Sequence, residues 1–336
     1  MAEALKSPER VTVTAGSIDD RSSASDRADD RWLAIFNPAA GRTRRSRAWS
    51  DIERAFARAG LRFDVAITAA AGDGEDIAAR AIRAGRRRFL VAGGDGSVHE
   101  AVNGIMRADR SSPSPPTLVP LPLGTGNDWA RSLSLPRDPE QLAAIVRADR
   151  GFLHDVGRID FPASSARPGS VCWFINVAGA GFDAHVIEHT PAQTPSRFAY
   201  LGGALARLRR YRSPAFRISS EQREPAAGRF LLVFVANGQY CGHRMHVAPS
   251  AALDDGRLDV VTIDEVGLLA ALPKLLKLYR GTILRDPLVR HFLSTSVQID
   301  ADPAAPVEAD GQLVGRTPAV FSLEPRALRV LHGRPA

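Results

Sequence analysis

Apolar and polar positions follow two different rhythms along this chain, and the change between them divides it. From Trp32 to about residue 145, short apolar runs alternate with stretches of helical period. Trp32, Leu33, Ile35 and Phe36 form a strand-like run. Trp49, Ile52, Phe56 and Ala59 then recur at helical spacing, with Gly60 as a stop. "LRFDVAIT" reads as the next strand and "GEDIAARAIRAG" as the next helix, again closed by glycine. "RFLVA" follows, then a glycine cluster, then "SVHEAVNGIMRA" with Val98, Ala101, Val102, Ile105 and Met106 on one face. A Pro/Ser linker, "RSSPSPPT", leads into "LVPLPLGTGNDWARSL". Strands alternating with helices predict an open α/β unit around a parallel sheet.

Near residue 151 the rhythm changes. "VCWFINVAGAGFD", "RFLLVFVANGQY", "RLDVVTID", "SVQID" and "AVFSLEP" are strand-like runs joined by turn-rich segments. Only "SRFAYLGGALARLRRYR" and "GLLAALPKLLKLYRG" have helical period, with Pro273 expected to start or kink the second. The expected organisation is a leader at 1–30 without apolar periodicity, read as disordered. An α/β domain follows over 31–145, then a β-rich, sandwich-like domain over 146–319, with 320–336 available to pack back on the first.

Composition narrows the function classes. Apolar residues at 44% and charged residues at 24% are those of a globular protein. A formal charge of +7 suits an anionic partner, or reflects only arginine-rich usage. No aromatic-interleaved basic strand supports a nucleic-acid partner. The two cysteines, Cys172 and Cys241, lie in apolar runs and make neither a disulfide framework nor a zinc spacing. No apolar run is long enough to cross a bilayer, and the N-terminus is polar, so a cytoplasmic location is expected.

The chemistry concentrates in turns after strands. "GGDGS" follows "FLVA", "GTGND" follows "LVPLPL", and "NPAAGR" follows the first strand. Ligands of open α/β sheets sit beyond the carboxyl ends of strands, where bare glycine backbone lets N–H groups approach phosphate oxygens. Ordinary Gly-rich turns, with Ser97, Asn127 and Asp128 as helix caps, are the plain alternative. The dinucleotide fingerprint fails, because His99 and Trp129 stand where a third glycine is needed. No Walker-type loop is present. Asp95, inside its glycine cluster, suits a divalent cation or a hydroxyl proton beside phosphates, or an Asx turn. Arg42, Arg44, Arg45 and Arg47 could neutralise a nucleotide.

Taken in order, NPxxG at 37–41, GGDGS with EAVNG behind it, and GTGNDWAR resemble the diacylglycerol kinase catalytic-domain family. That family includes bacterial lipid kinases, sphingosine kinases and ceramide kinase. The likeness continues through "FINVAGAGFDAHV", "ANGQYCGHRMHVAPSAALDDGRLDV" and "VEADGQLVGRTP". The resemblance implies an ATP-dependent, Mg²⁺-requiring lipid kinase of phospholipid metabolism, peripheral to the membrane, with diacylglycerol as first-choice substrate. A homodimer is compatible with it. It implies ATP contacts at Asn37, Gly41, Thr68, Gly93, Gly94, Asp95, Gly96, Ser97, Gly124, Thr125, Gly126, Asn127 and Asp128. It also implies a structural magnesium loop in "ALDDGRLD", with Asp255 as ligand and the backbone near Ala252 and Arg257.

One departure matters. The family's Asp-Gly-Glu element reads Asp310-Gly311-Gln312 here, and glutamine cannot accept a proton as a carboxylate does. Asp310, then Asp95, then Glu308 are the candidate replacements. The alternatives are an NAD-kinase-like enzyme for a soluble substrate, or a nucleotide- and lipid-binding protein with little turnover. The arginine-bearing helix, with Phe198, Leu201, Leu205 and Leu208 near one face, suits an anionic bilayer or packing on its own protein. The histidines show no convincing metal spacing.

Overall fold

A computed structural model of the chain describes residues 12–13, 31–39, 45–108, 114–165, 167, 169–189, 202–203, 206–242 and 244–333. The expected leader therefore lies almost wholly outside the described residues, as do Gly41, Arg42, Arg44, Phe198, Leu201 and Leu205. The chain forms two compact units. The first takes the described residues up to Thr125, then Leu133–Phe152 and those from Leu328; the second takes Gly126–Ser132 and Leu153–Ala327.

The first unit is a parallel sheet. Its strands are β1 (Thr12–Val13), β2 (Trp32–Phe36), β3 (Phe63–Ile67), β4 (Arg88–Gly93) and β5 (Thr117–Pro122), in the order β1-β3-β2-β4-β5. Arg329 and Val330 add a last parallel partner beside Thr117 and Leu118. The side-chain period of two splits β2 between the faces. Trp32, Ala34 and Phe36 pack with Trp49, Ile52 and Phe56 of α1 (Arg45–Arg58). Phe36 stacks on Trp49 at 4.8 Å between ring centroids.

Helices α2 (Asp73–Arg83) and α3 (Asp95–Arg107) pack closely on each other. The contact centres on Gly104, where a Cβ would overlap the Glu75 carbonyl oxygen and lie 2.9 Å from Ala78 Cβ. Glu100 of α3 reaches across to accept hydrogen bonds from the amides of Gly72 and Gly74. The "EAVNG" run is thus explained by helix packing.

The chain leaves β2 outward to β3 and returns to β4 on the other side of β2. The strand order therefore reverses between β2 and β4, the switch point at which open α/β sheets bind ligands.

The second unit is antiparallel. Val177–Gly181, Leu258–Asp264 and the second half of Arg223–Ala236 pair in one sheet, extended by Val289–Ser294 and Pro306–Ala309. The first half of Arg223–Ala236 pairs instead with Ala215–Ser220, which pairs with Ser296–Asp302 and through it with Ala319–Ser322. A register shift between Phe230 and Leu232 lets one strand serve both sheets. Phe161, Phe174, Phe216, Phe230 and Phe321 fill the core between them. The mixed α/β class with a β-rich second part is as the sequence pattern predicted.

Several local expectations are corrected. "VCWFINVAGAGFD" is two strands, Val171–Phe174 and Val177–Gly181, followed by helix Phe182–Glu188. Gly181, at φ 117°, redirects the chain where an L side chain would be strained. Helix Pro139–Ala148, capped by Asp138, was not read from the pattern. Pro273 lies inside helix Leu268–Arg280. Cys172 and Cys241, although in apolar runs, are only half-buried.

Candidate functional site

Three strand ends converge in the first unit. Asn37, the residue after β2, donates its backbone N–H to the Ala92 carbonyl and its side-chain amide to Ser97 Oγ, 3.1 Å away. Asn37 Oδ1 in turn accepts from the Ala39 amide. Behind β4, Gly94 precedes α3 in extended conformation with no side-chain cap. Ser97 lies within the first turn, so its hydroxyl serves Asn37 and does not cap the helix as expected.

A side chain would collide at Gly93 and would be tightly confined at Gly94. A Cβ on Gly93 would lie 2.5 Å from Ser97 Cβ, and one on Gly94 would lie 3.3 Å from Gly124 Cα. The loops after β4 and β5 thus meet backbone to backbone. Asp95 opens α3, half-buried, where the helix N-terminus favours a negative charge. Thr68, after β3, is buried and donates its N–H to the Phe36 carbonyl. Asn37, Gly93 to Ser97 and Gly124 are therefore brought together at the switch point, with Thr125 next in the chain. Gly41 lies outside the described residues.

Gly126, Asn127 and Asp128 begin the second unit's part of the chain. Asn127 is buried at φ 53°, a left-handed conformation that asparagine tolerates. Asp128 is buried at the start of the short helix Asp128–Ser132, and its Oδ1 accepts from the Arg244 amide at 2.9 Å. Trp129 donates its indole N–H to His154 Nε2 at 3.1 Å. His154 Nδ1 therefore carries the proton and donates to the Asp155 carbonyl. Full burial pushes this histidine down to about 4, so it is neutral near pH 7.

Asp310 and Gly311 form the two-residue loop between paired Ala309 and Gln312, both with positive φ, as a tight hairpin requires. Asp310 also ties down the entry to strand Val177–Gly181. Oδ2 accepts from Ile175 N at 2.9 Å, and Oδ1 from Asn176 N at 2.9 Å and Val177 N at 3.3 Å. Glu308 is buried and accepts from the Gly311 amide at 2.8 Å. Gln312 is exposed.

Around Asp255 the chain gathers carboxylates. Asp155 accepts from the amides of Gly256 and Arg326, and Asp255 Oδ1 from the Arg257 amide. Burial pushes the Asp255 pKa up, and the charges of Asp259 and Asp155 add to the rise. A carboxyl whose pKa rises on folding destabilises the folded state once pH passes the ordinary carboxylate range, and a bound cation reverses that penalty.

Asp183 was missed in the sequence. It follows Gly181 and Phe182 in the first turn of helix Phe182–Glu188. Both oxygens are shielded from solvent without a well-directed donor among the described residues. Burial pushes its pKa up to about 6, partly offset by the Ala184 and Asp183 amides. Its charge helps raise the pKa of Tyr211 and of Cys241, for both of which burial is the largest cause. The signal available was a carboxylate two residues after a strand-ending glycine.

The chain thus joins a parallel sheet, with bare glycine loops at its switch point, to a β-sandwich unit. Residues 31–159 match the diacylglycerol kinase catalytic domain, and residues 176–332 match the YegS C-terminal NAD kinase beta sandwich-like domain. The chain belongs to the diacylglycerol kinase catalytic-domain family and is a lipid kinase, a phosphotransferase. It is 29% identical over 259 residues to a probable lipid kinase YegS-like of Chromohalobacter salexigens, covering 76% of this chain and 78% of that one. It is 28% identical over 291 residues to a diacylglycerol kinase of Staphylococcus haemolyticus, covering 85% and 83%. A putative diacylglycerol kinase from Bacillus anthracis shares the fold with a TM-score of 0.74 at 22% identity, over 94% of this chain and 99% of that one.

Proposed function

We propose that the protein transfers the γ-phosphoryl group of ATP to a lipid hydroxyl, with diacylglycerol as the first candidate acceptor, in phospholipid metabolism. The observation that carries this reading is the meeting of the Gly93–Ser97 loop with Gly124 beside Asn37. Backbone N–H groups of these loops would hold phosphate oxygens, and phosphoryl transfer depends chiefly on such positioning and on charge. Asn37, Gly41, Thr68, the two glycine loops and Asn127 and Asp128 are the proposed nucleotide contacts.

Asp95 is the proposed partner of a Mg²⁺ ion accompanying the nucleotide, which would spread the charge of the phosphates. Glu308 and Asp310 are the proposed groups that receive or orient the hydroxyl proton. Asp310, whose oxygens accept three backbone N–H groups, suits orientation better than proton acceptance. Gln312→Glu is expected to raise turnover at least tenfold if the natural chain lacks an efficient base, as general-base contributions of about 100-fold or more suggest. Steady-state turnover of both proteins checks it; equal rates would show that Gln312 leaves no deficit.

We assign Asp255, with the backbone of Ala252 and Arg257, to a separate structural magnesium site. Millimolar Mg²⁺ is expected to raise the melting temperature by roughly 2–6 °C, and Asp255→Asn to abolish that rise. Thermal scans with Mg²⁺ and with EDTA decide; equal shifts in both proteins would remove Asp255 from the site.

No described helix is long and apolar enough to span a membrane. Peripheral attachment is supported by Leu269, Leu272 and Leu276, which are exposed at three- and four-residue spacing on helix Leu268–Arg280. A cytoplasmic location and a homodimeric state belong to the same reading. The second unit's likeness to an NAD kinase sandwich makes NAD the control acceptor. With ATP as donor, phosphate should pass to dispersed diacylglycerol and not to NAD; transfer to NAD alone would overturn the lipid assignment.

A further inference from the structure

A cavity of about 1290 Å³ in the second unit is lined by five arginines, Arg207, Arg209, Arg210, Arg212 and Arg316, against one carboxylate, Glu188. Arg316 is paired with Glu188 and also donates to the Ala304 carbonyl at 3.1 Å, while Arg207 donates to the His189 carbonyl. The guanidinium groups of Arg209, Arg210 and Arg212 have no hydrogen-bond or ion-pair partner among the described residues. They are exposed, whereas the neighbouring Leu208 packs into the core and anchors the segment that carries them.

Two ligand classes compete for this cavity. His185, Glu188 and His189 bring ligand atoms within 4.8 Å of one another, an arrangement open to a metal ion. Glu188, however, is already spent on Arg316, and His189 Nδ1 donates to the His185 carbonyl at 2.9 Å. Five arginines line the cavity against one carboxylate, so the local field is positive, and burial together with His189, Arg207 and Arg316 lowers the pKa of His185 despite the pull of Glu188. A cation would enter against that field, and an anion would relieve it. Guanidinium forks match phosphate oxygens in pairs, and a phosphomonoester offers nearly two charges for several arginines to share. Pro303 to Pro306 supply an apolar wall beside the arginines.

We propose that this cavity is a binding site for a phosphomonoester, and that its ligand in a lipid kinase is a phosphate-bearing lipid headgroup. Only the choice of a lipid as the source rests on the kinase reading; the anion chemistry stands on the cavity. The site lies apart in sequence from the glycine loops and is occupied by product-like or neighbouring lipids while they remain in the bilayer.

The test uses the full chain without ATP, so failure of the kinase reading leaves it intact. Vesicles of phosphatidylcholine alone, with phosphatidylglycerol, and with phosphatidic acid are compared by co-sedimentation, and inorganic phosphate by calorimetric titration. The expected result is binding to phosphatidic acid vesicles at least tenfold tighter than to the other two. That preference should disappear in Arg209→Gln/Arg210→Gln/Arg212→Gln. The triple variant should keep its melting temperature, and the matching lysine variant should recover part of the binding. Equal binding to phosphatidylglycerol and phosphatidic acid would overturn the phosphomonoester assignment. Binding of inorganic phosphate without any vesicle preference would overturn the lipid source while retaining the anion site. No binding in either assay would overturn both.

Discussion

Asp95→Asn is expected to lower turnover by about 100- to 10,000-fold while leaving the fold intact. The exchange keeps the shape of the side chain and removes its charge. Asp95 is the first residue of its helix, so the lost interaction with the helix N-terminus costs about 0.3–1 kcal/mol of stability. A hundredfold to ten-thousandfold loss in rate corresponds to roughly 3–5 kcal/mol in the barrier. The two effects therefore separate cleanly: thermal denaturation should move by a few degrees at most, while the rate collapses. Unchanged turnover would remove Asp95 from the mechanism.

Gly104→Val should have the largest effect on stability. A helix normally gains from replacing glycine, by about 1 kcal/mol for alanine. Here the added Cβ would meet the Glu75 carbonyl oxygen, which belongs to a helix backbone and cannot turn aside. Separating α2 and α3 would also pull Glu100 from the amides of Gly72 and Gly74. Overpacking of this kind costs about 1–3 kcal/mol, and the β-branched side chain enlarges it. A fall in melting temperature of roughly 5–10 °C is expected. An unchanged melting temperature would show that the two helices separate freely and that Gly104 does not set their distance.

Much of the first unit was legible because its signals are local. The unbroken apolar run "WLAIF", buried throughout, and the helical period of Trp49, Ile52 and Phe56 announce a strand and the helix that covers it. The glycine clusters were visible for the same reason, since each sits directly after an apolar strand. The place of Ser97 before a helical run predicts a cap. The helix starts two residues earlier, and its hydroxyl instead meets Asn37, sixty positions away.

What escaped the sequence depends on distant partners. The segment 320–336 is available to the first unit in the sequence, but neither strand by itself states the register that sets Arg329 and Val330 beside Thr117 and Leu118. Asp310-Gly311 carried a family meaning, whereas its hairpin geometry and three backbone donors become apparent only when strand Val177–Gly181 is beside it. Asp183 sat unnoticed in a run that looked like one continuous strand. Its shielding comes from neighbours such as Gly179, where a Cβ would lie 2.9 Å from Asp183 Oδ2.

The most direct test of the central claim is transfer of label from γ-labelled ATP to a total lipid extract by the purified protein with Mg²⁺. Label is expected in an organic-phase lipid that yields a phosphomonoester on identification, and it should vanish with Asp95→Asn. Protein that binds ATP but places no label in any extracted lipid would contradict the account.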